Sequence, residues 1–161
     1  MTDPAIDPDP QLDLVLEREV DVPPHLVWAA WTRPEHIRHW FAPKPFEVAE
    51  AEVDLRPGGI FRIVMKSPDG ELMDQGAGCI LEVVENQRLV WTGAMGPGFR
   101  PQTSELPFTA IITMEPAGTG TRYRAVAVHG STEGKAQHEQ MGFHEGWGAC
   151  LDQLVELVKT W

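Results

Sequence analysis

Cysteine is scarce. The chain has two, Cys79 and Cys150, among 161 residues. They lack metal-ligand spacing and each sits in an apolar run, so a disulfide-stapled fold and a cysteine zinc site are excluded, and both read as reduced core thiols. Basic residues are few as well: 13 Lys and Arg face 24 Asp and Glu, giving a formal net charge of −11. Such a surface repels phosphate backbones and anionic lipid, so neither nucleic acid nor membrane is an expected partner. No apolar run has the length of a bilayer span. The first residues have neither the basic start nor the apolar segment of a signal peptide. Their Asp-Pro pairs (Asp3-Pro4, Asp7-Pro8, Asp9-Pro10) read instead as a disordered acidic tail, residues 1–11, on a cytoplasmic protein. No internal repeat is present. With 42% hydrophobic residues, 12–161 is expected to form one domain with a substantial core.

What is present is mostly strand and turn. Leu12 to Val22 alternates, with Leu14, Leu16 and Val20 on one face and Asp13, Glu17, Glu19 and Asp21 on the other. Arg18 falls on the apolar parity and needs either an edge or a carboxylate partner. Pro23-Pro24 ends this strand. Two short helices follow, His25 to Thr32 and Glu35 to Trp40, the second opened by Pro34. Strands are then expected at 46–55, 60–66, 77–84, 89–93, 108–115 and 121–129. The first of these switches parity between Val48 and Ala51, which marks a bulge. Arg56-Pro57-Gly58-Gly59 has the residues of a type II turn. Residues 94–105, with Gly96-Pro97-Gly98, read as a long loop or rim. No helix interrupts the six strands, so the sheet is expected to be antiparallel.

The last thirty residues organise the rest. Trp147, Leu151, Leu154, Val158 and Trp161 recur at helical spacing, and the stripe projects back through Phe143 and His144 to Gln140 and then Ala136 and Gln137. One long helix over 131–161 is expected, packing dry at its end and turning polar toward its start, where it would enter a wet cavity. Gly142, Gly146 and Gly148 lie at the change. A bend at Gly142 would break the projection.

This order resembles the helix-grip fold of the START/SRPBCC superfamily, and more closely the bacterial branch of the activator of heat shock protein 90 ATPase homologue family. Three stretches carry the resemblance: Trp31-Thr32-Arg33-Pro34-Glu35-His36 with Trp40, Asp54-Leu55-Arg56-Pro57-Gly58-Gly59, and His138-Glu139-Gln140-Met141-Gly142-Phe143-His144-Glu145-Gly146-Trp147. It implies an α+β helix-grip fold, a curved antiparallel sheet of about seven strands wrapped around the C-terminal helix, with an internal cavity. The superfamily includes lipid carriers, cyclases and co-chaperone domains, so the fold alone assigns no activity.

His138-Glu139 and His144-Glu145 do not complete a zincin pattern, because Gly142 and Gly148 stand where the second histidine belongs. His36 and His39 supply two ligands without a third. Neither a metal nor a cofactor is expected, and no catalytic residue is assigned: adjacent helix residues such as His144 and Glu145 diverge by about 100°. The expectation is binding of a small, largely apolar molecule, with Phe143, Trp147, Phe61, Met65, Phe108 and Ile112 around it and Gln140 and His144 orienting it. The bland alternative has these polar residues solvating the helix flank. A cyclase-like or hydrolytic enzyme in the same cavity and a chaperone-activating module are the other readings, the last disfavoured because the chain has room for one domain. A homodimer stays open.

Overall fold

Alternation in the sequence becomes a sheet with one covered face. A computed structural model describes residues 7–161. In β1 (Asp13–Val20) Leu14 and Leu16 are buried while Glu17 and Glu19 are exposed. Helix α1 (Pro24–Thr32) starts on a proline, whose fixed φ suits a first helical position, and buries Val27, Trp28, Ala30 and Trp31. The second helix, α2 (Pro34–Ile37), is shorter than the spacing predicts. Trp40 lies beyond its end, tied by its indole Nε1–H to the Ala30 carbonyl at 2.9 Å. The strands that follow are β2 (Glu47–Val53), β3 (Ile60–Lys66), β4 (Leu72–Asp74), β5 (Gly78–Val84), β6 (Arg88–Thr92), β7 (Met95–Gly96), β8 (Arg100–Pro101), β9 (Phe108–Ala117) and β10 (Gly120–His129).

Among the described residues these form an antiparallel sheet in the order β1-β10-β9-β6-β5-β3-β2, with β4 also paired to β3. Register shifts fall between Val48 and Glu50, as the parity switch implies, and between Ile80 and Glu82. Each extra residue bends its strand and adds twist, which curls the sheet. The 56–59 turn is type II: Gly58 has φ +84° and the Gly59 amide donates to the Arg56 carbonyl at 2.8 Å. β4 escapes sequence reading because three residues carry no period. The expected long loop at 94–105 contains the small β7–β8 ribbon.

The single C-terminal helix resolves into two, α3 (Thr132–Gln140) and α4 (Phe143–Val158). Gly142 takes a left-handed φ of +88°, a conformation that ends a helix, and α4 restarts from it. Ser131 caps α3 by accepting the Gly134 amide at 3.0 Å. α4 buries Phe143, Cys150, Leu151, Leu154 and Val158 against the concave side of the sheet and α1. Trp161, expected on that stripe, lies past the helix end, half exposed and 4.4 Å from the His36 ring.

Two contacts fix α4. Arg18, on the covered parity of an edge strand, reaches across Gly148 to Asp152 at 3.0 Å. A Cβ on Gly148 would lie 2.5 Å from its guanidinium, so the glycine makes room for the arginine. Gln153 donates to the Trp40 and Ala42 carbonyls, both at 2.9 Å, and accepts the Lys44 amide at 3.0 Å. The loop that carries Phe41 is thereby clamped to α4. Residues 1–6 of the expected tail lie outside the described residues. Asp9 to Asp13 form a hydrogen-bonded turn, with Asp9 accepting the Gln11 amide at 2.9 Å.

Candidate functional site

The covered side of the sheet carries an unbroken row of rings. Starting at Trp31 on α1, centroid separations are 5.7 Å to Phe41, 6.1 Å on to Phe61, 4.5 Å to Trp91, 5.6 Å to Phe108, 6.0 Å to Trp147 and 4.8 Å to Phe143. Phe61 and Trp91 are stacked at an interplanar angle of 17°. Between their strands β5 places Gly78, the register partner of Phe61, so no side chain at that position separates the rings. Phe61, Trp91 and Phe143 are buried, whereas Phe41, Ile63, Phe108 and Trp147 are only partly so. The chief contacts of α4 are with α1, β1 and α3, and β2 packs against α2 instead. Apolar side chains on an inner face that still reach water are what an open apolar cleft requires.

Polar groups meet this row of rings at two points. At the end of β10, His129 Nδ1 lies 2.9 Å from the Leu12 carbonyl, and its Nε2 lies 2.9 Å from Nδ1 of His138 on α3. A carbonyl only accepts, so Nδ1 of His129 carries its proton. For two neutral rings, Nε2 of His129 then accepts from His138 Nδ1–H, and Nε2 of His138 is left with a lone pair. Burial, and next the neighbouring His129, push the His138 pKa down to about 4. The His138 ring is 4.7 Å from Phe108, 5.2 Å from Phe143 and 6.0 Å from Trp147. The second point is Trp91, whose buried Nε1–H has no hydrogen-bond partner among the described residues.

The structure brings together Phe61, Phe108, Phe143 and Trp147 of the residues expected around a ligand. Ile112 is sealed in the core, fully buried, and Met65 stands toward the end of β3 outside the core cluster. Gln140 and His144 do not face inward. Both are exposed, and His144 Nε2 sits 4.0 Å from the Glu139 carboxylate. The left-handed Gly142 is the reason, because the helical projection that carried the α4 stripe back to Gln140 fails where the helix breaks. Sequence reasoning left out Phe41 and Trp91, although the alternation of β6 already put Trp91 on the apolar face with Leu89.

Other reactive groups are muted. Burial raises the Cys150 thiol to about 12, far from a nucleophile at neutral pH, and its Sγ donates to the Phe41 carbonyl at 3.0 Å. The Tyr123 phenol is pushed up by burial and accepts the Trp31 indole at 3.1 Å. Among the described residues no group of three His, Cys, Asp or Glu side chains could hold a metal ion. An open groove of about 550 Å³ lies elsewhere, between the 56–59 turn and Pro97 to Phe99. Pro57, Ile60, Pro97 and Phe99 line it together with the Asp54–Arg56 ion pair, and it stands open to solvent.

The fold has known counterparts. The family model described as Activator of Hsp90 ATPase homolog 1-like protein matches residues 21–159. A crystal structure of a Nitrosomonas europaea protein is 46% identical, with 94% of this chain and 97% of that one covered at a TM-score of 0.90. A Mycobacterium smegmatis protein is 28% identical over 91% and 90% of the two chains, TM-score 0.75. An AHSA1-like protein from Aeromonas hydrophila, 22% identical over 92% and 93%, shares the fold at a TM-score of 0.71. No curated protein matches the sequence. With nearly its whole length matched by one family model, the chain belongs to the family of Activator of Hsp90 ATPase homolog 1-like proteins.

Proposed function

We propose that the protein binds a small, largely apolar molecule with a flat ring in the cleft between the sheet and α4, with Phe61, Trp91 and Phe108 as its platform and Trp147 and Phe143 as its cover. The observation that carries this is the partial exposure of Phe108, Trp147, Phe41 and Ile63 on a face that a solid core would seal. Aromatic pairs at these separations stabilise by about 0.5–1.5 kcal/mol each beyond burial, and a guest ring would extend the same stacking. Binding rather than catalysis is the reading, since the shifted titratable groups nearest the rings are His138, held neutral by burial, and a thiol held protonated. A formal net charge of −11 opposes nucleic acid. Two free, buried cysteines suit a reducing compartment such as the cytoplasm. No helix among the described residues is long and apolar enough to cross a membrane.

The test is displacement of a bound fluorescent probe, 1-anilinonaphthalene-8-sulfonate, by naphthalene-sized aromatics. Wild-type protein should bind the probe at micromolar levels, and Phe108→Ala and Trp147→Ala should each weaken binding at least several-fold while remaining folded. Probe affinity unchanged in both variants would remove the cleft as the site.

A further inference from the structure

Trp31 and Trp40 pair their indole N–H groups, whereas the shielded N–H of Trp91 has no partner among the described residues. Trp31 Nε1–H donates to the Tyr123 hydroxyl at 3.1 Å, and Trp40 Nε1–H donates to the Ala30 carbonyl at 2.9 Å. Trp91 is 8% exposed, its Nε1 is shielded from solvent, and no described residue accepts its proton. A buried donor without an acceptor forfeits the hydrogen bond that water gave it in the unfolded chain. Nothing in the packing demands the nitrogen: a phenyl ring would also stack on Phe61, 4.5 Å away, and touch Phe108, 5.6 Å away, with no donor to strand. The unpaired donor thus sits in the middle of the aromatic row, between the buried Phe61 and the partly exposed Phe108.

We infer that the molecule held in this cleft carries a hydrogen-bond acceptor, a carbonyl or ether-like oxygen attached to its ring system, and that Trp91 Nε1–H donates to it. The inference rests on the proposed apolar site and narrows it from hydrocarbon-like guests to oxygen-bearing ones. Trp91 acts as a specificity-determining residue: the rings supply affinity for any flat apolar guest, and one donor in a dry place selects among them. A site with a buried polar group discriminates strongly in this way, because a guest lacking the matching atom leaves the donor unpaired. An acceptor in the guest also replaces water better than a second donor would, since neither Phe61 nor Phe108 beside Trp91 offers a polar atom.

The experiment compares naphthalene with 2-acetylnaphthalene, which share a ring system and differ by the carbonyl, as competitors of bound 1-anilinonaphthalene-8-sulfonate. In wild-type protein the ketone should compete about 10-fold better than the hydrocarbon. In Trp91→Phe that preference should vanish, the ketone and the hydrocarbon competing alike whatever the common loss of stacking. A thermal melt checks that the variant still unfolds cooperatively, with a modest loss of midpoint for the ring volume removed. A measurement on the wild type alone guards against a misfolded variant: the Trp91 indole N–H resonance should move downfield with the ketone and not with naphthalene. Equal competition by the two probes, a preference that survives in Trp91→Phe, or an unmoved indole signal overturns the acceptor inference and leaves the apolar site standing. Failure of both probes to displace the dye up to their solubility limits brings down the apolar site and this inference together.

Discussion

Nε2 of His129 and Nδ1 of His138 stand 2.9 Å apart, and this one hydrogen bond joins the end of a strand to the buried residue of an otherwise polar helix. α3 is also held by its Ser131 cap, by the Lys135 ammonium, which donates to the Pro10 carbonyl at 2.6 Å, and by the packing of the His138 ring on Phe108 and Phe143. The seating of this helix therefore depends in part on the protonation state of one imidazole.

That dependence gives a pH prediction. His138 has a folded pKa of about 4, below the ordinary imidazole value of 6.5, because burial disfavours its charged form. Above about 6.5 neither folded nor unfolded chain binds the proton, and the contribution is flat. Between 6.5 and 4 the unfolded chain binds more protons, so stability falls as pH falls, by on the order of 3 kcal/mol at most. Denaturant midpoints measured across this window for wild type and His138→Gln isolate the effect from the carboxylates. The slope should be smaller in the variant, and identical slopes would refute the neutral-histidine account.

Leu154 is fully buried in α4. Leu154→Ala should destabilise by about 2–5 kcal/mol, the usual range for a core leucine, as read by urea unfolding.

Glycines at two positions should respond in opposite ways. A Cβ on Gly146 in α4 meets open space, so Gly146→Ala should stabilise by about 0.5–1 kcal/mol through helix propensity. A Cβ on Gly59 would overlap the Asp54 carbonyl, which is backbone and cannot yield cheaply. Gly59→Ala should cost about 1–3 kcal/mol or more. Thermal melts of the pair check both signs.

Gln140 and His144 are exposed. Replacing either by Ala should shift stability by less than about 0.5 kcal/mol, the norm for surface sites. Probe binding should also be unaffected. A several-fold loss of binding in either variant would return them to the site.

Much of the fold was legible because its signals are local and periodic. Leu14 and Leu16 against Glu17 and Glu19 announce an outer strand, the phase change after Val48 announces the bulge, and Pro57-Gly58 announces the turn. The break between α3 and α4 was harder. A single glycine among helix-compatible residues serves a bend, a cap or a close contact equally well, and only the backbone reveals that Gly142 is left-handed while Gly148 is helical and seats Arg18. The site was legible in part for the same reason. Phe61, Phe108, Phe143 and Trp147 follow from strand and helix parity, whereas the His129–His138 bond joins residues on different elements that no period relates. The unpaired nitrogen of Trp91 is a property of the whole packing and has no sequence signal.

The cleft itself is tested most directly by a ¹H–¹⁵N correlation titration of the wild-type protein with 2-acetylnaphthalene. The account predicts saturable shifts concentrated on the backbone of Phe61, Trp91, Phe108, Phe143 and Trp147 and on the Trp91 indole N–H, with the 56–59 turn and Phe99 unmoved. Saturable shifts confined to that outer turn, or none up to the solubility limit, would contradict it.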